Sequence, residues 1–261
     1  MKLLKILLLI SSFTLIGISS VYAEEFMISK TNTANDIIFD GKWTFTTEWK
    51  QSSLYDLQYD DGRIVVRLSH DFENIYVLLD VLVDRTKSHI ADSAMICFDT
   101  NVDGGNFLNN DDFCFHAAMD SSNPKMFQGG SDSVISGNLK NIENHPDLII
   151  VGGFSDNNDR YSKIPHATYE YKIPIEIIGY SDVYGFYIQV FDADKNIRYT
   201  WPKGSINEKF PYISSPDKWG KLISPDKSIP EFEFPLLLSI PAFLMVIYFS
   251  KKKFLSKELT A

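Results

Sequence analysis

Apolar and polar positions alternate with a period of two over much of the middle of this chain. In Ile64-Val65-Val66-Arg67-Leu68-Ser69 the alternation sets Ile64, Val66 and Leu68 on one face of a strand. A nearly continuous apolar run, Asn74 to Val81, follows after the turn-length gap His70-Asp71-Phe72-Glu73, and the two runs predict a hairpin. Further strand-length runs are Ala94–Thr100, Asp112–Ala117, Leu148–Gly153, Ala167–Ile175, Gly185–Asp192 and Arg198–Trp201, separated by segments rich in Gly, Asn and Asp. A sustained period of 3.6 residues is almost absent, and Pro174–Ile178 reads as a short helical or irregular corner. Short strands punctuated by turn residues predict an all-β sandwich.

The two ends follow another pattern. Lys2 and Lys5 precede an apolar run, Leu7 to Ile18, that closes on Val21-Tyr22-Ala23, so residues 1–23 read as a secretory signal cleaved before Glu24. At the other end, Phe234 to Phe249 is apolar and Lys251-Lys252-Lys253 follows. That run predicts a transmembrane helix over 234–250, with the lysines on the cytoplasmic side and the preceding domain outside. Between the ends we expect a tail over 24–35, one domain over 36–223 and a linker over 224–230 that contains Pro225 and Pro230. The expected location is therefore the outer face of a membrane.

Charge narrows the partners. The whole chain carries −9; removing the +2 of residues 1–23 and the +3 of residues 251–261 leaves −14 for residues 24–250. A surface that acidic repels phosphate backbones, which makes nucleic acid a poor partner, and it favours cations.

One loop concentrates that charge. Asp99-Thr100-Asn101-Val102-Asp103-Gly104-Gly105 is followed by Asn109-Asn110-Asp111-Asp112. Alternate Asp and Asn side chains before glycine are how a tight loop wraps oxygens round a hard cation, so Asp99, Asn101, Asp103 and Asp111 or Asp112 are candidate ligands for a structural calcium ion. The match to a helix–loop–helix calcium motif is partial: its twelfth position is Asn110 and the flanks are strands. An ordinary solvated turn is the alternative.

If 94–100 and 112–117 pair around this loop, a register of constant sum 211 sets Cys97 opposite Cys114, within reach of a disulfide. Ile96 and Phe98 then share a face with Phe113 and Phe115, leaving both cysteines on the other. The same register pairs Met95 with His116, but neighbours on one face cannot approach a haem iron from opposite sides.

Several phrases line up in order: Phe39-Asp40-Gly41-Lys42-Trp43 with Glu48-Trp49, Asn74-Ile75-Tyr76-Val77, the Asp99 loop, Tyr169 to Pro174, Gly185 to Val190, Trp201-Pro202 and Trp219-Gly220. Over roughly residues 36–223 this resembles the family 9 carbohydrate-binding modules and related DOMON-like sandwiches. The resemblance implies a jelly-roll-like β-sandwich, bound calcium and a sugar slot flanked by aromatic rings, for which Trp201 and Trp49, supported by Tyr212 or Trp219, are the candidates. At the C-terminus, Pro230-Glu231-Phe232, the apolar run and the basic tail resemble PEF-CTERM sorting signals of archaeal surface proteins, which implies an archaeal envelope protein and a processing partner of archaeosortase type acting on residues 231–261.

No Gly-x-Ser-x-Gly or His-Glu-x-x-His motif occurs, and His70, His89, His116, His145 and His166 show no metal-ligand spacing. We therefore read a surface-anchored, non-catalytic module that binds a glycan or envelope polysaccharide. A structural or adhesive envelope protein without a sugar site is the first alternative, and a DOMON-like haem domain the second.

Overall fold

A computed structural model describes residues 24–121, 123–133, 137–209 and 211–224. The expected signal segment and, at the C-terminus, the expected linker from residue 225 onward, membrane span, sorting signal and basic tail lie outside the described residues. Among the described residues no helix is long and apolar enough to cross a membrane.

The described residues form two β-sheets. The strands are β1 (Glu25–Met27), β2 (Ser29–Lys30), β3 (Ser53–Tyr59), β4 (Gly62–His70), β5 (Asn74–Val81), β6 (Ser93–Asp99), β7 (Asp112–Ala118), β8 (Lys125–Gln128), β9 (Lys140–Ile142), β10 (Ile149–Phe154), β11 (Ala167–Pro174), β12 (Val183–Asp192), β13 (Ile197–Trp201) and β14 (Gly220–Ile223). The one described α-helix, α1, is the corner Ile175–Ile178. The first sheet has the order β1-β14-β12-β6-β7-β8-β9, with β13 also paired to β12; the second has the order β10-β11-β5-β4-β2, with β3 also paired to β4.

Alternation along the strands decides which side chains lie between the sheets. Ile64, Val66 and Leu68 of β4 face inward with Ile75, Val77, Leu79 and Val81 of β5, and meet Ala94, Ile96 and Phe98 of β6 and Phe186, Ile188 and Val190 of β12. Every residue of β5 is buried, because its outer face is covered too. The segment through Ile37, Trp43 and Trp49 packs there against Tyr76 and Leu78. That cover passes close over β10: the Gly41 carbonyl lies where a side chain on Gly153 would begin, 2.5 Å from its Cβ position, so only glycine fits the crossing.

The β6–β7 register is the constant-sum one, pairing Met95 with His116, Ile96 with Phe115 and Cys97 with Cys114. Cys97 and Cys114 form a disulfide with Sγ–Sγ 2.06 Å.

Candidate functional site

The outer face of the first sheet carries both a second small core and an open groove. Cys97 and Cys114 sit in that core with Leu108, Leu139, Tyr187, Ile213 and Trp219, beneath loops that fold back over the sheet. Beside the covered part, a groove of about 470 Å3 stays open, within the usual range for small-molecule sites.

Strand register builds the groove floor. Lys125 of β8 pairs with His116 of β7, His116 with Met95 of β6, and Met95 with Gln189 of β12. All four point outward because their neighbours in sequence face the core. Phe127, next to Cys114 across β7–β8, and Phe191, next to Arg198 across β12–β13, flank that row. Pro211 and Tyr212 reach over from the loop after β13, and Asn141 and Leu139 close the far side. The loop is tied down where Gln189 Nε2 donates to the Tyr212 carbonyl oxygen at 2.8 Å and to the Tyr187 hydroxyl at 3.1 Å.

The charge of the groove opposes that of the protein. Lys125 and Arg198 line it, and no carboxylate among the described residues does. The Arg198 guanidinium lies over the Tyr212 ring at 3.8 Å from its centroid and over the Phe191 ring at 4.1 Å. Two rings thus pack against the guanidinium from the groove's own lining. Burial, with the charge of Lys125 adding to it, pushes the His116 imidazole down to about 4. It is therefore neutral near pH 7, with one nitrogen to donate and one to accept.

Three of the four aromatic residues expected to form a platform lie elsewhere, which corrects the sequence reading. Trp201 is 3 % exposed; it pairs with inward-facing Ile188, and its ring stacks on Phe26 at 3.8 Å between centroids. Trp49 is 1 % exposed under the cover of the second sheet, where its indole N–H donates to Glu170 Oε1 at 3.3 Å. Trp219 is buried against Tyr187, its indole N–H on the Ser214 carbonyl at 3.0 Å. None of them offers a ring face to solvent. Tyr212 alone lines the groove. The sequence reading passed over Phe127, Phe191, Arg198, Gln189 and Asn141. The parity that put the cysteines on the outer face also put these residues there, and was the signal available.

The acidic loop between β6 and β7 gathers three of its predicted ligands. Oxygens of Asp99, Asp103 and Asp111 lie within 4.8 Å of one another. Asp99 Oδ2 accepts the Gly104 N–H at 2.9 Å, while Asp99 Oδ1 and Asp111 Oδ2 are buried without a hydrogen-bond partner. Asp112 lies opposite Asp99 across the hairpin, outside that group of three, and accepts the Asn109 N–H at 2.6 Å. Burial and then the neighbouring Asp99 push its carboxyl up to about 8. Asn101 is exposed. An all-oxygen donor set with orphaned buried oxygens fits a hard cation such as calcium.

No protein-family profile matches the chain, and no curated protein is similar to it in sequence. Solved structures that match it include two carbohydrate-binding modules. One is a family 9 carbohydrate-binding module from Caldicellulosiruptor kristjanssonii in complex with cellotriose, with a TM-score of 0.48 and 13 % identity over 77 % of this chain and 93 % of that one. The other is a module of the same family and organism in complex with glucose, with a TM-score of 0.49 and 13 % identity over 77 % of this chain and 95 % of that one.

Proposed function

We propose that this chain is a non-catalytic carbohydrate-binding module whose ligand lies in the groove on the outer face of the first sheet. The carrying observation is the groove's composition: half-buried Phe127, Phe191 and Tyr212 rings beside Asn141, Gln189, His116, Lys125 and Arg198. Aromatic rings accept the apolar C–H faces of a pyranose, and the surrounding amide, imidazole and guanidinium groups direct its hydroxyls. With two cations and, among the described residues, no carboxylate lining it, the groove suits a saccharide bearing a carboxylate or sulfate, to which Arg198 can present two parallel N–H donors.

A calcium ion held by Asp99, Asp103 and Asp111 would secure the loop at one end of this sheet, a structural role supported by the unpartnered oxygens there. The setting we infer is the outer face of a membrane, with processing by an enzyme of archaeosortase type. That inference rests on the sequence of residues 1–23 and 231–261 alone.

The test is calorimetric titration of the full-length chain with uronic-acid oligosaccharides and their neutral counterparts. Acidic ligands should bind at least tenfold more tightly than neutral ones. Arg198→Ala should remove that preference, and Phe127→Ala, which also gives up packing against the second core, should weaken both classes in protein that is still folded at the assay temperature. Binding indifferent to both substitutions, or absent at millimolar ligand, would refute the assignment of the groove.

A further inference from the structure

A second hollow, of about 620 Å3, lies across the loop that walls the groove. Pro211 lines both hollows. Leu139 belongs to the groove, while Gly137 and Asn138 just before it belong to the second hollow. The two are therefore halves of one cleft, divided by a single ridge. Leu108, which also lines the second hollow, is carried by the loop that enters β7 at Asp112, four residues from His116 on the groove floor. At about 3.3 Å per residue that is roughly 13 Å along the strand.

Backbone hydrogen bonds build the ridge. Ile206 pairs with Ile213 across an antiparallel bridge, the Asn207 N–H donates to the Tyr212 carbonyl at 3.3 Å, and the Tyr212 N–H donates to the Lys209 carbonyl at 2.7 Å. Gln189 Nε2 ties the same Tyr212 carbonyl to the sheet at 2.8 Å. Tyr212 has φ +68°, a left-handed conformation rare for a bulky residue, so its place on the ridge is held against backbone strain. The second hollow repeats the chemistry of the groove. Its Phe107 ring is 71 % exposed, and the Asn106 and Asn207 side chains are exposed beside it. Lys209 and Lys218 are exposed too, and neither makes an ion pair with a described residue. Over the whole cleft, Lys125, Arg198, Lys209 and Lys218 stand against Glu208 alone among the described residues. In a chain whose residues 24–250 sum to −14, such a local excess of cations selects acidic ligands.

We propose that the second hollow is a further subsite of the groove, and that the ligand is a polysaccharide chain with acid groups on successive sugars, laid across the ridge. This inference rests on the saccharide reading of the groove. Phe107 takes the apolar face of one sugar, as Phe127 and Phe191 do in the groove, and Lys209 and Lys218 meet acid groups further along the chain. Once one end of the chain is held in the groove, contact with the second hollow is intramolecular, so affinity rises with chain length until both hollows are filled.

Calorimetric titration of the full-length chain with a uronic-acid disaccharide, the matching hexasaccharide and a neutral hexasaccharide tests it. The acidic hexasaccharide should bind at least tenfold more tightly than the disaccharide. Lys209→Ala with Lys218→Ala should remove that gain and leave the disaccharide affinity unchanged. Phe107→Ala, at a second exposed position, should weaken the hexasaccharide alone by at least threefold. Arg198→Ala should weaken both acidic ligands. Equal affinity for the two acidic ligands, or a hexasaccharide indifferent to the lysine pair and to Phe107, would overturn the subsite; a disaccharide still sensitive to Arg198→Ala would leave the groove reading standing. A neutral hexasaccharide weakened as much by the lysine pair would overturn the acid preference of the subsite. A wild type that binds neither acidic ligand at millimolar concentration would overturn both readings.

Discussion

Replacing both disulfide cysteines, Cys97→Ala with Cys114→Ala, tests how the groove side of the first sheet is held. The bridge joins residues separated by 17 positions, and closing a loop of that length removes about 3 kcal/mol of unfolded-chain entropy. Both sulfurs are wholly buried against Leu108, Tyr187 and Trp219, so deleting them leaves a small void that adds about 1 kcal/mol. The expected loss is therefore about 4 kcal/mol. Architecture should survive it, because β6 stays zipped between β7 and β12 by pairs on both sides. Urea unfolding of the full-length chain reads the effect directly. With a slope of about 2 kcal/mol per molar urea, the midpoint should fall by about 2 M at unchanged slope. The Asp99 loop lies wholly inside the bridged segment, so the calcium binding proposed for it should weaken in the same variant. A midpoint shift below about 0.5 M would refute the reasoning, since it would mean that the hairpin is as constrained in the unfolded chain without the bridge as with it.

Two further outcomes separate packing from binding. Trp201→Ala should cost about 3–5 kcal/mol of stability, the usual range for a large buried aromatic, and leave the affinity of the remaining folded protein for a groove ligand unchanged; a variant of wild-type stability with lost binding would restore Trp201 to the ligand site. His116, held near 4 by burial and Lys125, should make stability fall with pH. Below its ordinary value near 6.5 the unfolded chain takes up a proton that the folded chain refuses, so stability declines from about pH 6.5 toward pH 4 and is fully present above that window. Between pH 7 and pH 4.5 the His116→Gln variant should lose about 2 kcal/mol less than the wild type by chemical denaturation, and equal losses would show that the ring is solvated.

How much of this was legible in the sequence depends on strand length and on parity. Runs such as Asn74–Val81 and Gly185–Asp192 announce themselves because each is long enough to show its pattern, and the β6–β7 register follows from matching Ile96 and Phe98 to Phe113 and Phe115. Lys125–Gln128, Lys140–Ile142 and Gly220–Ile223 are three or four residues long and exist as strands only through their neighbours, so no periodicity marks them. Ser53–Tyr59 does alternate, but its outward Leu54 is half exposed and blurs the pattern.

The misplaced tryptophans come from judging residues by type instead of by face. Indole is as well suited to filling a core as to stacking on sugar, and only the partner across the strand decides between them. Trp201 opposes Ile188, an inward residue, so it must point inward, and the intervening Thr200 and Arg198 must point out. Once that parity is applied along β12 and β13, the outward residues Gln189, Phe191 and Arg198 define one wall of the groove without any reference to tryptophan. Register gives no equivalent help with Pro211 and Tyr212, because a loop folds back over the sheet to deliver them. Nor does it mark the buried cluster of Asp84, Asp92 and Asp192, whose members come from three separate strand ends and meet only when the two sheets are stacked. Ligand-bearing residues carried by paired strands can thus be read from alternation, whereas those brought together by sheet packing need the fold.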